Sequence, residues 1–512
     1  MRRPSFVISL VAAGTVCAAP AWCQPSGTDL RVAIERHVGA NQRAIVAELV
    51  ELLSIPNVAA DRENIRRNTQ FLAQMLERRG FRSEVLETQG NPLVYGELRV
   101  AGATRTLLIY AHYDGQPVNP PDWKQPSPFT PILRDGRMED GGREVSGLGT
   151  IDRFEPGWRL YSRSASDDKS PIVAFCAALD ALKALGLAPT SNLRVVLDGE
   201  EEAGSTSLVP AIARYREKFA ADAMLILDGP VHPSEKPTLV FGARGNVTVG
   251  LTVYGPKFGL HSGHYGNWVP NPAMRLAQLL ATFKDDKGQV LVGGFYDGIS
   301  PLTAEEQAML DAVPDNPEQL KKLFGISASE NPERSLQEGL QLPTFNVRGL
   351  SSAFVGAGAR TIIPDRAQAD IDIRLVKETP PGPMVEKVRA HLIAQGYHVV
   401  SEDPDDATRA RYSKIVKVTV RGDGTSAYRT SPLLPVSRQL AEVLTRTFGE
   451  PPVRIRTSGG TVPIAPFIDA LGFPAISVPI VNFDNNQHGE NENLRLGHFF
   501  RGITTLASAL RM

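Results

Sequence analysis

The sequence predicts an α/β fold: a mainly parallel sheet with helices on both faces, and an α+β unit inserted into it. Three observations carry that expectation. Short, mostly apolar runs recur at residues 106–111, 193–197, 224–227 and 475–481. Such runs suit strands buried on both faces. Helical patterns separate many of them, as crossover connections in a parallel sheet require. The middle of the chain behaves differently: residues 246–253 and 367–376 alternate apolar and polar, as half-exposed strands do.

Taken in order, the chain begins with Arg2 and Arg3, then an apolar stretch from Phe6 to about Trp22. Residues 1–24 are expected to be a signal peptide, cleaved somewhere in 18–24, and the mature protein to be exported, periplasmic or secreted. A single membrane anchor is the competing reading, but the stretch is short and holds Gly and Pro. No membrane association is expected after cleavage. Cys17 and Cys23 would leave with the signal. Cys176 would then stand alone, with no intrachain disulfide, and is expected to be buried in its apolar run. Residues 65–79 read as a helix, with Ile65, Leu72, Met75 and Leu76 on one face and Gly80 as its stop. Residues 172–185 read as another, with Pro171 in the first turn. Helical patterns at 271–283 and 303–312 lie between the alternating strands, and 311–342 reads as an irregular excursion. With 512 residues the chain exceeds one simple core. The expected division is a catalytic domain from 25–245 and 428–512, interrupted by an inserted dimerisation or lid domain at 246–427.

Charge narrows the function classes. Lys and Arg total 55 against 56 Asp and Glu, so no basic field exists to attract nucleic acid. The informative residues follow the buried strands. The first run ends in His112-Tyr113-Asp114, the second in Asp198-Gly199-Glu200-Glu201-Glu202, the third in Asp228, and the fourth leads to His488. Sites in open parallel sheets form beyond the carboxyl ends of strands. Imidazole mixed with carboxylate suits zinc. Each element alone has an ordinary reading: a loop histidine, an acidic helix start, a capping Asp. Their joint occurrence at four strand ends points to a metal site.

Five local spellings occur in order: His112-Tyr113-Asp114-Gly115-Gln116-Pro117-Val118, Ser166-Asp167-Asp168-Lys169, Asp198-Gly199-Glu200-Glu201-Glu202-Ala203-Gly204-Ser205, Leu260-His261-Ser262-Gly263 and His488-Gly489-Glu490-Asn491-Glu492. Together they resemble metallopeptidase family twenty, the carnosinase, aminoacylase and carboxypeptidase G family of dizinc hydrolases with a zinc-exopeptidase-like fold. The carnosinase-like dipeptidase branch is most similar, on Gly293-Gly294-Phe295-Tyr296-Asp297 and Pro343-Thr344-Phe345-Asn346-Val347. The resemblance implies two zinc ions, with manganese or cobalt as alternatives. One would be held by His112, Asp167 and Asp228, the other by Glu202, His488 and the shared Asp167. It implies that Asp114 orients His112, that Glu201 is the general base, and that His261 supplies an oxyanion donor. Thr361, Arg374, Gly460 and Thr461 would bind substrate. It also implies a cis peptide between Asp167 and Asp168, and a homodimer in which His261 acts on the neighbouring subunit's site. Departures from the family pattern are Ser164 and Ser170 where Gly is usual, Gly115 where Val is usual, and Asp198 where Glu is common.

The expected function is hydrolysis of the amide bond in dipeptides or small peptides. An N-acyl amino acid deacylase with the same metal centre is the enzymatic alternative. An exported solute-binding protein is the alternative from another class, but it would have no use for Glu201 beside Glu202.

Overall fold

The computed structural model describes residues 27–512, so the expected signal peptide, Cys17 and Cys23 lie outside the described residues. Thirteen strands build the two main sheets. In chain order they are β1 (Arg82–Leu86), β2 (Leu93–Leu98), β3 (Thr106–His112), β4 (Asn192–Asp198), β5 (Ala223–Ile226), β6 (Thr238–Val240), β7 (Gly245–Tyr254), β8 (Thr344–Ser351), β9 (Arg366–Leu375), β10 (His398–Val400), β11 (Ile415–Thr425), β12 (Val453–Ile455) and β13 (Ala475–Ser477). The larger sheet runs β1-β2-β4-β3-β5-β13-β6-β12. Its central strands β4, β3, β5 and β13 are parallel, and β1 and β2 extend it antiparallel at one edge.

The apolar runs read as they do because this sheet is covered on both faces. On β3, Leu107, Ile109 and Ala111 enter one apolar cluster, formed with α1 (Gly27–Leu53), α3 (Lys169–Ala184) and α5 (Leu496–Ala509). Leu108 and Tyr110 enter the opposite one, with α4 (Leu208–Phe219) and the helix Ala465–Leu471. Between α1 and α3 in the chain lies α2 (Arg62–Glu77), which buries Ile65, Leu72, Met75 and Leu76 as its periodicity predicts. Gly80 follows it at φ +87, a conformation that costs glycine little. Cys176 is buried and free, and burial pushes its thiol up to about 12.

The second sheet runs β8-β9-β7-β11-β10. Val247, Val249, Leu251 and Val253 of β7 pack beneath the helices Pro272–Leu280 and Pro381–Ala394. On β9 the alternation is visible residue by residue: Ala367, Ala369, Ile371 and Ile373 are buried while their neighbours are wetter. A two-stranded ribbon, Leu260–His261 with Ile362–Ile363, stands out from this unit.

Two expectations are corrected. The run 475–481 forms a strand only to Ser477. Pro479 has no N–H to give a ladder, so the chain leaves the sheet while staying extended, with Val478 N still donating to Ile226 O. The excursion 311–342 is not wholly irregular. It holds helices Pro317–Phe324 and Leu336–Gly339, started by Asn316 accepting from Gln319 N and by a Ser335/Glu338 capping box. Among the described residues no helix is long and apolar enough to cross a membrane.

Candidate metal centre

His112 is the last residue of β3, Asp198 the last of β4, and Asp228 lies two residues beyond β5. Parallel neighbours bring these ends together, so the sheet alone gathers residues spread over more than a hundred positions. Asp167 and Asp168 arrive on the turn before α3, joined by a cis peptide as the resemblance implies. His488 arrives on the loop after β13, with φ +66.

Asp167 is the centre of the cluster. His112 Nε2 lies 2.9 Å from its Oδ1, and His488 Nε2 lies 3.0 Å from its Oδ2. His488 Nε2 is also 3.6 Å from Glu202 Oε2. Two groups of donor atoms result, each compact enough for one cation: His112, Asp168 and Asp228, and Asp167, Glu202 and His488. Asp167 touches both histidines with different oxygens, which is the disposition a bridging carboxylate needs.

Electrostatics indicates that the cluster is built for cations. Burial, reinforced by the charge of Asp167, pushes the carboxyls of Glu202 and Asp228 above the usual range. Glu201 is pushed well above it by burial, with Asp228, Asp167 and Glu202 adding to the effect. Asp167 goes the other way: burial opposes its ionisation, but hydrogen bonds from His112 and His488 hold it far below. Burial also works against the imidazolium of His112, yet Asp114 and Asp167 outweigh it and raise its pKa. Without added positive charge the cluster therefore retains protons. The Oδ1 atom of Asp168 is buried without a hydrogen-bond partner, a coordination point left for a cation. The donor set fits two divalent metal ions.

Asp114 does more than the sequence suggests. Fully buried, it stands with Oδ1 3.4 Å from His112 Nδ1. Its two oxygens also accept from the backbone amides of Glu201 and Glu202, both at 3.0 Å. Asp114 thus fixes the His112 imidazole, whose Nδ1 lies 3.2 Å from its backbone carbonyl, and through its carboxylate the two adjacent glutamates. The three consecutive glutamates divide their roles. Glu200 turns away, accepting from Ser207 N and Asn91 N. Glu202 faces His488, and Glu201 lies in the same cavity.

Four residues were not singled out by sequence reasoning. Asp168, beside Asp167, accepts from the His112 amide at 3.2 Å. Gln116 donates to Glu202 Oε2 and Gln487 to Asp167 Oδ2, each at 2.6 Å. Glu492 is fully buried. Its Oε1 accepts from the amides of Ser166 and Asp167, and its Oε2 from Ser164 N and Arg163 Nη1. Three of the four fall inside the quoted spellings, and that membership was the only signal the sequence offered.

The centre opens into a cavity of about 950 Å³. Arg374, Gly460 and Thr461 line it. Arg374 Nη1 donates to Thr461 Oγ1 at 2.7 Å and its Nε to Asp372 Oδ2 at 3.2 Å, so the ion pair with Asp372 and a place at the cavity coexist. His261 and Thr361 are not brought there within one chain. Both are exposed on the ribbon, where the Thr361 carbonyl accepts from Ser262 N and the His261 imidazole from Gly263 N.

The description "Peptidase family M20/M25/M40" matches residues 108–512. The Cys-Gly metallodipeptidase dug1 of Schizosaccharomyces pombe is 29% identical over 479 residues, covering 90% of this chain and 93% of that protein. The Beta-Ala-His dipeptidase of Mus musculus is 27% identical, over 81% of this chain and 79% of that one. Among solved structures, the M20 family metallo-carboxypeptidase Sso-CP2 of Sulfolobus solfataricus superposes with a TM-score of 0.71 at 29% identity, covering 91% and 98% of the two chains.

Proposed function

The chain belongs to peptidase family M20/M25/M40 and is a peptide-bond hydrolase, and on that premise we propose that it is an exported dinuclear metallodipeptidase with Glu201 as its general base. The observation that carries this reading is Asp167, whose two oxygens face His112 and His488 at 2.9 and 3.0 Å, with Glu201 in the same cavity. A Bacillus subtilis member of the family is a dinuclear metal-binding peptidase. Here His112, Asp228 and Asp167 would hold one ion and Glu202, His488 and Asp167 the other, with Asp168 close to the first. Zinc suits these donors, and manganese or cobalt are the alternatives. Bound ions of this kind acidify a water molecule and polarise a carbonyl.

The chain's own residues do the rest. Glu201 takes the proton of the attacking water at a carboxylate oxygen and passes it to the departing amine nitrogen. Asp114 keeps Glu201 and His112 in fixed relation through its hydrogen bonds. Arg374, with Thr461, presents a donor fork to a substrate carboxylate. That assignment fits the Cys-Gly and Beta-Ala-His substrates named for the relatives, and N-acyl amino acids equally. Residues 246–427 would act as the lid and dimerisation unit. His261 and Thr361 would reach the site of a second subunit. Export to the periplasm or medium rests on Arg2, Arg3 and the apolar stretch behind them.

The test is product identification by mass after incubating metal-loaded protein with dipeptides and N-acyl amino acids. Dipeptide cleavage that is abolished by chelation and restored by zinc is the expected result. Cleavage of N-acyl amino acids alone would replace dipeptidase by deacylase.

A further inference from the structure

The cavity has one wall that the metal chemistry does not use. It is formed by the short helix Leu336–Gly339 and Leu340, the end of the excursion, and Gln337 and Leu340 line the cavity. Three separate polar tethers hold this segment down. Arg244, only 6% exposed, donates to the carbonyls of Gly339, Leu340 and Leu342. Gln341 Oε1 accepts from Arg456 Nη1 and Thr457 Oγ1. Gln337 Nε2 donates to Asp315 Oδ2 at 2.8 Å, and Asp315 Oδ1 lies 3.1 Å from His232 Nε2. His232 Nδ1 accepts from Ser234 N, so the ring is pinned at both nitrogens and its polar atoms are spent. A short helix on an excursion has no need of three anchors merely to cover a surface. They make the wall rigid.

The wall stands at the carboxylate end of the cavity. A Cβ placed on Gly459 would lie 3.2 Å from Leu340 Cδ2, so Leu340 packs on the turn that carries Thr461, the hydroxyl partner of Arg374. Val231, Val240 and Ile455 line the same cavity. Outside the metal cluster, Arg374 and the spent His232 are the ionisable groups on the lining that carry or accept a proton charge. Gln337 Oε1, buried and without a partner, is a neutral oxygen that cannot neutralise an ammonium.

We propose that the Leu336–Leu340 wall, with Leu340 as its contact residue, selects substrates whose C-terminal residue has an uncharged, apolar side chain. The proposal rests on the reading of Arg374 as the carboxylate site, since that places the C-terminal side chain against Leu340. A charged side chain there would leave water for a surface that offers it no counter-charge, whereas an aliphatic one gains contact.

The experiment measures kcat/KM on Gly-Gly, Gly-Leu, Gly-Lys and Gly-Glu. Wild type is expected to favour Gly-Leu over Gly-Lys and Gly-Glu by about tenfold or more. Leu340→Asp is expected to raise the Gly-Lys to Gly-Leu ratio by about tenfold, leaving Gly-Gly, which has no side chain to reach the wall, within about threefold of wild type. Leu340→Ala, a milder change should Leu340→Asp not fold, lowers Gly-Leu mainly through KM and leaves Gly-Gly unchanged. An unaltered ratio in Leu340→Asp, or in Leu340→Ala if only that variant folds, with Gly-Gly turnover intact, overturns the proposal. So does a wild-type preference for charged side chains. If wild type cleaves no dipeptide, the dipeptidase reading fails by itself, and N-acetyl-leucine against N-acetyl-lysine then decides the wall by the same ratio.

Discussion

A Cβ built on Gly115 would lie 2.4 Å from Ser164 Oγ, which itself accepts a hydrogen bond from Asn57 Nδ2. The resemblance implies Val at the first position and Gly at the second, and here the space a valine would fill is taken by the serine hydroxyl. Ser164 keeps the positive φ, at +60, that a glycine would adopt without cost. We expect Gly115→Val alone to destabilise the fold by about 1–3 kcal/mol through overpacking. Gly115→Val with Ser164→Gly is expected to recover most of that loss, since residues in contact couple. Denaturant unfolding of the two singles and the double reads the coupling directly, and simple additivity would contradict it. At the base, Glu201→Gln is expected to lower kcat by about two orders of magnitude or more with metal content unchanged. Asp167→Asn should lose metal as well as activity, because Asp167 faces both histidines. Normal turnover by Glu201→Gln, with metal measured by elemental analysis, would move the base elsewhere.

At the scale of elements, what the sequence reveals depends on how local the cause is. The buried strands were legible because burial on two faces leaves no polar residue in the run, as at Leu107–Ala111 on β3. Helix α2 was legible because its apolar residues repeat at helical spacing and Gly80 ends it. The edge strand β1 was not, because a half-covered edge carries polar residues such as Arg82 and Glu84. The clustered residues His112, Asp167, Glu202, Asp228 and His488 stand in quoted spellings or directly after an apolar run. The hydrogen bonds that aim them were not legible, since Glu492 and Gln487 approach from far along the chain. One such bond set gives a pH prediction. The loop after β13 is tied to the strand Arg159–Tyr161 by Arg159, which donates to Asp484 Oδ2. Burial opposes ionisation of Asp484, but hydrogen bonds from Arg159 and Asn482 hold its pKa down at about 2. A carboxyl depressed in the folded state stabilises above its unfolded pKa of about 4 and loses that contribution as pH falls toward 2. The stability gap between wild type and Asp484→Asn should therefore be widest near pH 6 and narrow steadily below pH 4. Melting temperatures across that range test it, and a gap that widens in acid would refute it.

For the whole molecule, the open question is where the ribbon bearing His261 and Thr361 acts. It is exposed, and Phe258, Trp268, Phe354 and Val355 around it are exposed too, Trp268 at 81% and Val355 at 89%. A protein–protein interface is one kind of contact that covers exposed apolar surface. If two copies exchange ribbons, mixing Glu201→Ala chains with His261→Ala chains, after dissociation and reassociation, creates mixed dimers with one intact site each. Activity is then expected to return. Mixed dimers confirmed by mass that stay inactive would place His261 in its own subunit's site or outside catalysis. The change of strand pattern near residue 246 was legible, and the second sheet's first strand begins beside it at Gly245, but where the ribbon acts has no local cause that a sequence could display.

The hold of Glu492 on the turn at Asp167 also has a bearing on time. A ribosome delivers residue 167 long before residue 492, and the turn that presents the bridging carboxylate has its backbone amides anchored only when that late residue arrives. Those amides meet this partner only after some three hundred further residues have been made. Contacts of such sequence separation close slowly. On the proposed reading, hydrolytic competence is expected only once that late residue has joined the turn.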